Sequence, residues 1–497
     1  MKLEILLQST PVISVIGEAD RAVTGLACDS RFVQPGDLFF ALQGSRENGI
    51  RFLSEAVEKG AVGVVIDADH AKVDLPGIPV IRVPDARTAM ADLAAAYHGN
   101  PSASLAVAGV TGTNGKTTTA WIIRHLCDAV GRACGLVGTI EYVLPGVVEP
   151  ASRTTPESID LERMLATMRD GGFKAASLEV SSHALVQQRV RGVEFDAAIF
   201  TNLTQDHLDY HGTMEDYFDA KSLFFTMLAG QLRKKGKAVV NSDDRYGRRL
   251  LDRITGVPVI TYGQGSNCNF RASNIRYAAT GTTFALDAKG RSYLVRTPLI
   301  GLFNVYNTLA ALAATSVMGL ELRRAIAAAA TIPQVPGRLE RVPGRRNFQA
   351  FVDYAHTPDA LENVLRSLRQ LEPARIITVF GCGGDRDHSK RPLMAAAAER
   401  HSDKVIITSD NPRSEDPLSI IRESEKGLTG KSHECFVDRE SAIARAVELA
   451  GPDDVLLIAG KGHETYQETS TGRHPFNDVT VTARAMARKE VTGGVAR

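Results

Sequence analysis

The chain has 497 residues, 44% of them hydrophobic, and its 58 basic and 57 acidic side chains leave a net charge of +1. That length accommodates about three domains at roughly 150 residues each. The charge balance excludes a general nucleic-acid or membrane-surface binder, and no apolar run approaches the ~18 residues that would suggest a membrane span. Six scattered cysteines (Cys28, Cys127, Cys134, Cys268, Cys382, Cys435) show no CxxC pair or zinc-like spacing. They read as reduced thiols of a cytoplasmic protein, mostly packed as small apolar groups. The N-terminus, with one early lysine and Glu4, makes a poor signal peptide.

In chain order, 37–42, 62–67 and 79–83 read as strands, and 52–60 and 86–99 as helices. A linker-like HGNPSAS around Pro101 ends this first unit. A second unit opens with the buried strand 104–110, a glycine-rich loop and a helix, and continues with strands at 175–180, 197–203, 237–244 and 258–263. The stretch 268–300 reads as an antiparallel addition, followed by an alanine-rich helix from about 304 and a Pro/Gly linker at 332–344. The third unit carries strands at 349–355, 375–381, 404–410 and 454–460. The alternation predicts an α/β protein of three domains. These are a small N-terminal α/β domain (1–99), a central P-loop-type domain with a parallel sheet covered by helices on both faces (100–336), and a C-terminal Rossmann-like α/β domain (337–497).

The sharpest local signal is Thr111-Gly112-Thr113-Asn114-Gly115-Lys116-Thr117-Thr118, between a strand and a helix. Glycines let backbone N–H groups turn toward a phosphate chain, and the helix N-terminus adds partial positive charge. Lys116 is placed to bridge the β- and γ-phosphates, and the Thr117 hydroxyl to ligate Mg²⁺. The spacing departs from the general motif, because Val110 stands where the first glycine is expected and Gly109 lies one residue earlier. The loop alone indicates a nucleoside triphosphate, leaving motors, GTPases and kinases open.

Ligands of open α/β sheets gather at the carboxyl ends of the strands. There the sequence places Glu179 with Ser181, Ser182 and His183, and Asn202 with Asp206 and His207. Glu179 suits the Mg²⁺ held by Thr117 as a hard-oxygen ligand. His207 suits either a second metal or the orientation of a nucleophile. Arg153-Thr154-Thr155-Pro156-Glu157 is either an anion-binding turn or a helix cap built on Thr155, and Gln187 and Arg189 extend the same polar face. In the third unit, four strand-end loops are polar or glycine-rich: 353–358, 381–387, 410–413 and 460–464. Two arginines and several carboxylates on one rim suit a zwitterion, since arginine pairs bidentately with carboxylate.

Taken in order, TGTNGKTTT, RTTPE, LEVSSHALVQQR, TNLTQDHLDYHGTMEDYFDAK, GLFNVYN, PGRLE, VDYAHTPD, GCGGDRD, SDNPR and GKGHE resemble the Mur ligase family over essentially the whole chain. The resemblance implies an ATP-dependent, Mg²⁺-assisted ligase of peptidoglycan-precursor synthesis that works through an acyl phosphate. Its implied substrates are UDP-N-acetylmuramoyl-L-alanyl-D-glutamate, meso-diaminopimelate and ATP, with no nucleic-acid or membrane partner, and a monomer is expected. By the same resemblance, Ser30, Gly44, Ser45 and Arg46 hold the uridine diphosphate end. Arg153, Thr154, Thr155, Ser181, Gln187 and Arg189 hold the muramoyl dipeptide; relatives often carry Asn at the position of Arg153. Lys116, Asn202, His207 and Lys221 serve catalysis. Lys221 matches the family's carbamylated lysine (N6-carboxylysine) and joins Thr117, Glu179 and His207 around the metal. Asn304 resembles the adenine contact, Asp353 the ribose contact, and Arg338 a linker residue near the γ-phosphate. Arg386, Asp410, Asn411, Pro412, Arg413, Gly460 and Glu464 resemble the diaminopimelate pocket, where Arg413 pairs with the distal carboxylate that lysine lacks. ATP and precursor on the central domain and amino acid on the C-terminal one imply closure about 332–344. An L-lysine ligase, a folate-extending glutamate ligase and a non-catalytic P-loop switch are the alternatives. The second would not need the first hundred residues, and the polar C-terminal loops count against the third.

Overall fold

The computed structural model describes the chain except residues 45–46, 70–72, 74, 76, 345–346, 431–432 and 494–497, and the side chains of 489–493. No described helix is long and apolar enough to cross a membrane. The described strands form three main sheets and a small hairpin, in mixed α/β order.

The first sheet has five strands in the order Ser14–Ile16, Val80–Val83, Gly63–Asp67, Asp37–Phe40 and Gly25–Ala27. All its pairs are parallel except the first. Val64, Val65 and Ile66 are fully buried, because a parallel strand covered on both faces has no solvent side. Sequence reading missed Ser14–Ile16 and Gly25–Ala27, which are three residues each and carry too short a pattern to register.

The second sheet has eleven strands and sets the site. Its phosphate-loop strand, Ala106–Thr111, lies between Ala175–Glu179 and Ala197–Phe200, parallel to both. The chain crosses from one side of this strand to the other, so the loop after Thr111 opens at a topological switch point. The antiparallel addition is a three-stranded meander, Phe270–Ala278, Gly281–Ala288 and Arg291–Thr297, joined to the edge of the parallel part. At the other edge, Glu141–Leu144 and Val147–Pro150 form an unforeseen hairpin whose outer strand is wholly exposed. The helices Lys116–Ala129 and Leu302–Val317 pack on one face of this sheet; Phe195, Phe218, Phe224 and Phe225 help fill the other.

The third sheet runs Glu340–Arg341, Gln349–Asp353, Val455–Ala459, Ile376–Cys382, Lys404–Ser409 and His433–Phe436, parallel apart from its first pair. The sequence-read linker is therefore partly structured. Glu340–Arg341 pairs with Gln349–Asp353, while Val335, Leu339 and Val342 are buried, so its second half is fixed to the C-terminal sheet.

Candidate active site

The phosphate loop is held from both sides. Asn202 accepts from the Asn114 N–H at 3.0 Å and donates to its carbonyl at 3.1 Å, and the Thr201 hydroxyl donates to that carbonyl at 2.7 Å. Gly112 and Gly115 both have positive φ, and a Cβ on either would fall 1.9 Å from Thr201 Oγ1 or 2.5 Å from Asn307 Oδ1. These two positions must be glycine on steric grounds. The motif departure has a physical reason. Val110 still belongs to the buried strand, and Gly109 makes room for Phe195 and Phe224, whose rings would lie 2.6 Å from a Cβ. Gly109 is thus a packing residue and not part of the phosphate cradle.

Lys116 is half-buried and donates to the carbonyls of Gly112 and Thr113 at 3.0 and 2.8 Å. Burial lowers its pKa, against the opposing pull of Glu179 and Asp206. Thr117, at the start of the same helix, donates to Glu179 Oε2 at 3.0 Å. Glu179 is fully buried and also accepts from the N–H and hydroxyl of Thr139 at 2.7 and 3.0 Å. A hydroxyl and a buried carboxylate make a hard-oxygen donor pair that fits Mg²⁺. Thr118 is buried beside Thr117.

Lys221 is 1% exposed, donates to Gly112 O at 2.9 Å and lies over the Tyr217 ring at 4.6 Å. Burial, then the neighbouring Lys116, pushes its pKa well below the ordinary lysine value. His207 has left-handed backbone and caps the short helix Leu208–His211, with Nε2 3.4 Å from Asp206. Its ring centroid is 5.1 Å from that of His183, and burial brings its pKa down to about 4. His211 joins the group through a 2.9 Å bond to Ser182 and also falls to about 4, again chiefly by burial. The sequence did not single out Thr139, Tyr217 or His211; their contacts come from three separate elements.

The residues from Arg153 to Arg189 that the resemblance assigns to the dipeptide form one patch. Thr155 does not cap a helix, since Glu157 holds that place; its hydroxyl donates to Glu179 O at 2.7 Å instead. Thr154 pairs with Thr139 at 3.1 Å, and Ser181 caps the helix Ser182–Val186. Arg189 donates to Thr155 O at 2.8 Å and to Gln187 at 2.7 Å, and pairs with Glu157 at 2.9 Å. Arg153 meets the same carboxylate at 2.5 Å. From the first sheet's unit, Arg87 reaches Glu157 at 3.8 Å and donates to Gln43 O at 3.1 Å, tying in the turn at Gly44. Ser30 is buried and donates to Glu55 at 2.7 Å. Ser45 and Arg46 lie outside the described residues.

Across the crevice, Arg338 donates to Thr117 Oγ1 at 3.1 Å, and its guanidinium stacks 4.7 Å over Tyr354. Asn114 meets Asp359 at 3.5 Å. Asp353 accepts from the N–H groups of Leu339 and Ala355 at 2.6 and 2.7 Å, and its burial raises the pKa to about 6. Asn304 is 2% exposed, with its amide engaged by Ile300 O at 2.8 Å and Asn307 at 3.0 Å.

The rim beyond continues from the same contacts. The Tyr354 ring lies 5.2 Å from that of His463, next to Glu464. Asn411 donates to Glu464 at 2.8 Å, and both accept from the fully buried Lys461 at 2.9 Å. Gly460 has φ +116, and a Cβ there would sit 2.4 Å from buried Asp410. Arg413, itself left-handed beside buried Pro412, donates to Gly384 O at 2.7 Å and lies 3.5 Å from Glu468. A Cβ on Gly383 would lie between Arg413 and exposed Arg386, so the two arginines share one lip. Lys461, which fixes Asn411 and Glu464, was read from sequence only as part of a glycine-rich loop.

A phosphate loop, a buried hard-oxygen pair and a facing rim of cations and carboxylates make this the crevice of an ATP-dependent acid–amino-acid ligase. Family models agree across the chain. The Mur ligase family catalytic domain matches residues 22–98, the Mur ligase middle domain 110–315, and the Mur ligase glutamate ligase domain 337–462. The chain is 46% identical to the UDP-N-acetylmuramoyl-L-alanyl-D-glutamate–2,6-diaminopimelate ligase of Geobacillus kaustophilus, over 99% of each chain. It is 43% identical to the Geobacter sulfurreducens protein of the same name, over 96% of this chain and 97% of the other. A solved structure of a ligase with that name superposes with a TM-score of 0.72 at 32% identity, covering 99% of both chains. The MurF ligase of Thermotoga maritima in complex with ADP shares the fold, with a TM-score of 0.64 at 19% identity, covering 94% and 98%. The chain belongs to the Mur ligase family.

Proposed function

We propose that this ligase joins meso-diaminopimelate to UDP-N-acetylmuramoyl-L-alanyl-D-glutamate at the expense of ATP, and that its three sheets mark domains bounded at 1–99, 100–336 and 337–497. The observation that carries the reading is the single crevice in which Arg338 touches Thr117 of the phosphate loop while stacking on Tyr354, whose neighbour His463 leads to the rim of Asn411 and Arg413.

Lys116 leaves its loop carbonyls for the β- and γ-phosphates, and the triphosphate charge restores the proton that burial disfavours. Thr117 and Glu179, with His207 and a carbamylated Lys221, would hold Mg²⁺, which supplies charge neutralisation on the phosphoryl oxygens. Asn304 and Asp353 face adenine and ribose, and Asn202 keeps the loop rigid. Arg153, Thr154, Thr155, Ser181, Gln187 and Arg189 seat the muramoyl dipeptide, and Ser30 with the Gly44 turn seats the uridine diphosphate. The precursor's glutamate carboxylate attacks the γ-phosphorus, ADP departs, and an acyl phosphate remains. The free amine of diaminopimelate then attacks the acyl carbon, and phosphate leaves through a tetrahedral intermediate. Arg413 and Arg386 take the distal carboxylate, while Asp410, Asn411, Gly460 and Glu464 frame the amino-acid end.

Lys221 is suited to carbamylation because only the neutral amine attacks carbon dioxide, and burial favours that form. Stripping carbon dioxide is expected to reduce turnover and added bicarbonate to restore it; identical rates in both buffers contradict the modification. The function itself is tested by phosphate release with purified precursor and each candidate amino acid. Release with meso-diaminopimelate and little with L-lysine is expected. Equal release with L-lysine overturns the amino-acid assignment, and release independent of precursor overturns the ligase reading.

A further inference from the structure

A second donor cluster lies on the outer edge of the C-terminal sheet. His433 and Cys435 alternate along the strand His433–Phe436 and so project from the same face. The last turn of the helix Pro417–Glu425 brings Glu425 against that face. Glu425 Oε1 lies 3.0 Å from His433 Nε2 and 3.3 Å from Cys435 Sγ. One ligand atom from each residue falls within 4.8 Å of the others, and this is the one such trio of His, Cys, Asp or Glu found among the described residues. The His433 and Glu425 side chains are 34% and 35% exposed, so an ion can enter and retain water.

The cluster is distant in fold terms from the ligase crevice. His433 pairs with Val405 at the start of its parallel neighbour, whereas the rim residues Asp410–Arg413 follow that neighbour's other end. It is also invisible to cysteine spacing, because its third donor comes from a helix and its two strand donors are of different types.

We propose that Glu425, His433 and Cys435 form a carboxylate–imidazole–thiolate site for a divalent cation of the zinc class, with water in the fourth position. Tetrahedral Zn²⁺ with ligands at ~2.0–2.3 Å sets its donors about 3.3–3.5 Å apart, so the two contacts to Glu425 open slightly while His433 and Cys435, within 4.8 Å of each other, close onto the ion. The mixed set of borderline and soft donors disfavours Mg²⁺ and Ca²⁺, which take oxygen. Binding breaks the Cys435 Sγ–H bond, forms the sulfur–metal bond and releases that proton to solvent.

The test uses the full chain, reduced and stripped of metal, titrated with Co²⁺ as a spectroscopic stand-in and with Zn²⁺ against a chromogenic chelator. A sulfur-to-cobalt charge-transfer band is expected, lost in Cys435→Ser. Zn²⁺ affinity should fall by at least about tenfold in both Cys435→Ser and His433→Ala. Precursor-dependent phosphate release should be unchanged in either variant, and circular dichroism checks that both are folded. No charge-transfer band in the parent chain, a band of equal strength in Cys435→Ser, or an affinity unmoved by His433→Ala would each overturn the site.

Discussion

Burial without a partner is the most consequential state of a single side chain here. Glu162 is 1% exposed, neither carboxyl oxygen has a hydrogen-bond partner, and its pKa is pushed up to about 8 by desolvation alone. It sits under Gly192 and the helix Ala86–Tyr97, where a Cβ on Gly192 would come 2.7 Å from Glu162 Oε1 and 2.8 Å from Ala91 O. The folded chain thus holds a proton that an unfolded one, with an ordinary pKa near ~4.3, releases. Between those values the native state binds more protons, so stability falls as pH rises from about 4.3 to about 8 and then levels off. Glu162→Gln is expected to flatten that slope in urea titrations and to gain a few kcal/mol over the parent at pH above 8. A variant with the parent's slope contradicts the assignment. Arg413 differs in being held by Gly384 O at 2.7 Å and lying 3.5 Å from Glu468, and its proposed role is to take the distal carboxylate of the amino acid. Arg413→Ala should raise the KM for diaminopimelate by about 10–100-fold and narrow its margin over L-lysine; an unchanged KM removes Arg413 from the pocket. The sequence made the charged rim legible because unlike charges in strand-end loops stand out. It could not make Glu162 legible, since an acidic residue in an amphipathic helix looks solvated until a neighbouring helix covers it.

Elements hold these residues in register through buried ion pairs. Arg439 and Asp478 are both fully buried and pair twice at 2.8 Å. Arg439 also donates to Ser409 O at 3.2 Å and Ala459 O at 3.0 Å, the ends of the two strands that lead into Asp410 and Gly460. Arg391, equally buried, ties Gly383 O to Glu415 and Glu423 beneath the same lip. Arg439→Ala would leave Asp478 charged and unpaired, so a loss of about 3–5 kcal/mol is expected in urea unfolding. A loss under about 1 kcal/mol would show that the pair does not hold the strand ends. Core strands such as Ala106–Thr111 were plain in the sequence because burial on both faces writes a continuous apolar run. Edge elements were not: Val147–Pro150 is wholly exposed, and His433–Phe436 alternates histidine and cysteine with partly covered neighbours, so neither carries a hydrophobic signal.

At the scale of the whole molecule, chemistry depends on two sheets meeting across one crevice. Arg338 leaves a segment fixed to the C-terminal sheet and reaches Thr117 of the central one, and Asp359 meets Asn114 beside it. Local motifs in the sequence named nearly all of these residues, but contacts between sheets are long-range, and no spacing rule places Arg338 on Thr117 or Arg87 on Glu157. The central claim is that the phosphate gripped by Lys116 is handed to the precursor's carboxylate before the amine arrives. Heavy-oxygen labelling of that carboxylate tests it most directly, with mass analysis of the phosphate released in the complete reaction. One labelled oxygen per phosphate is the predicted result; unlabelled phosphate alongside amide product would contradict the acyl-phosphate route and the crevice built to support it.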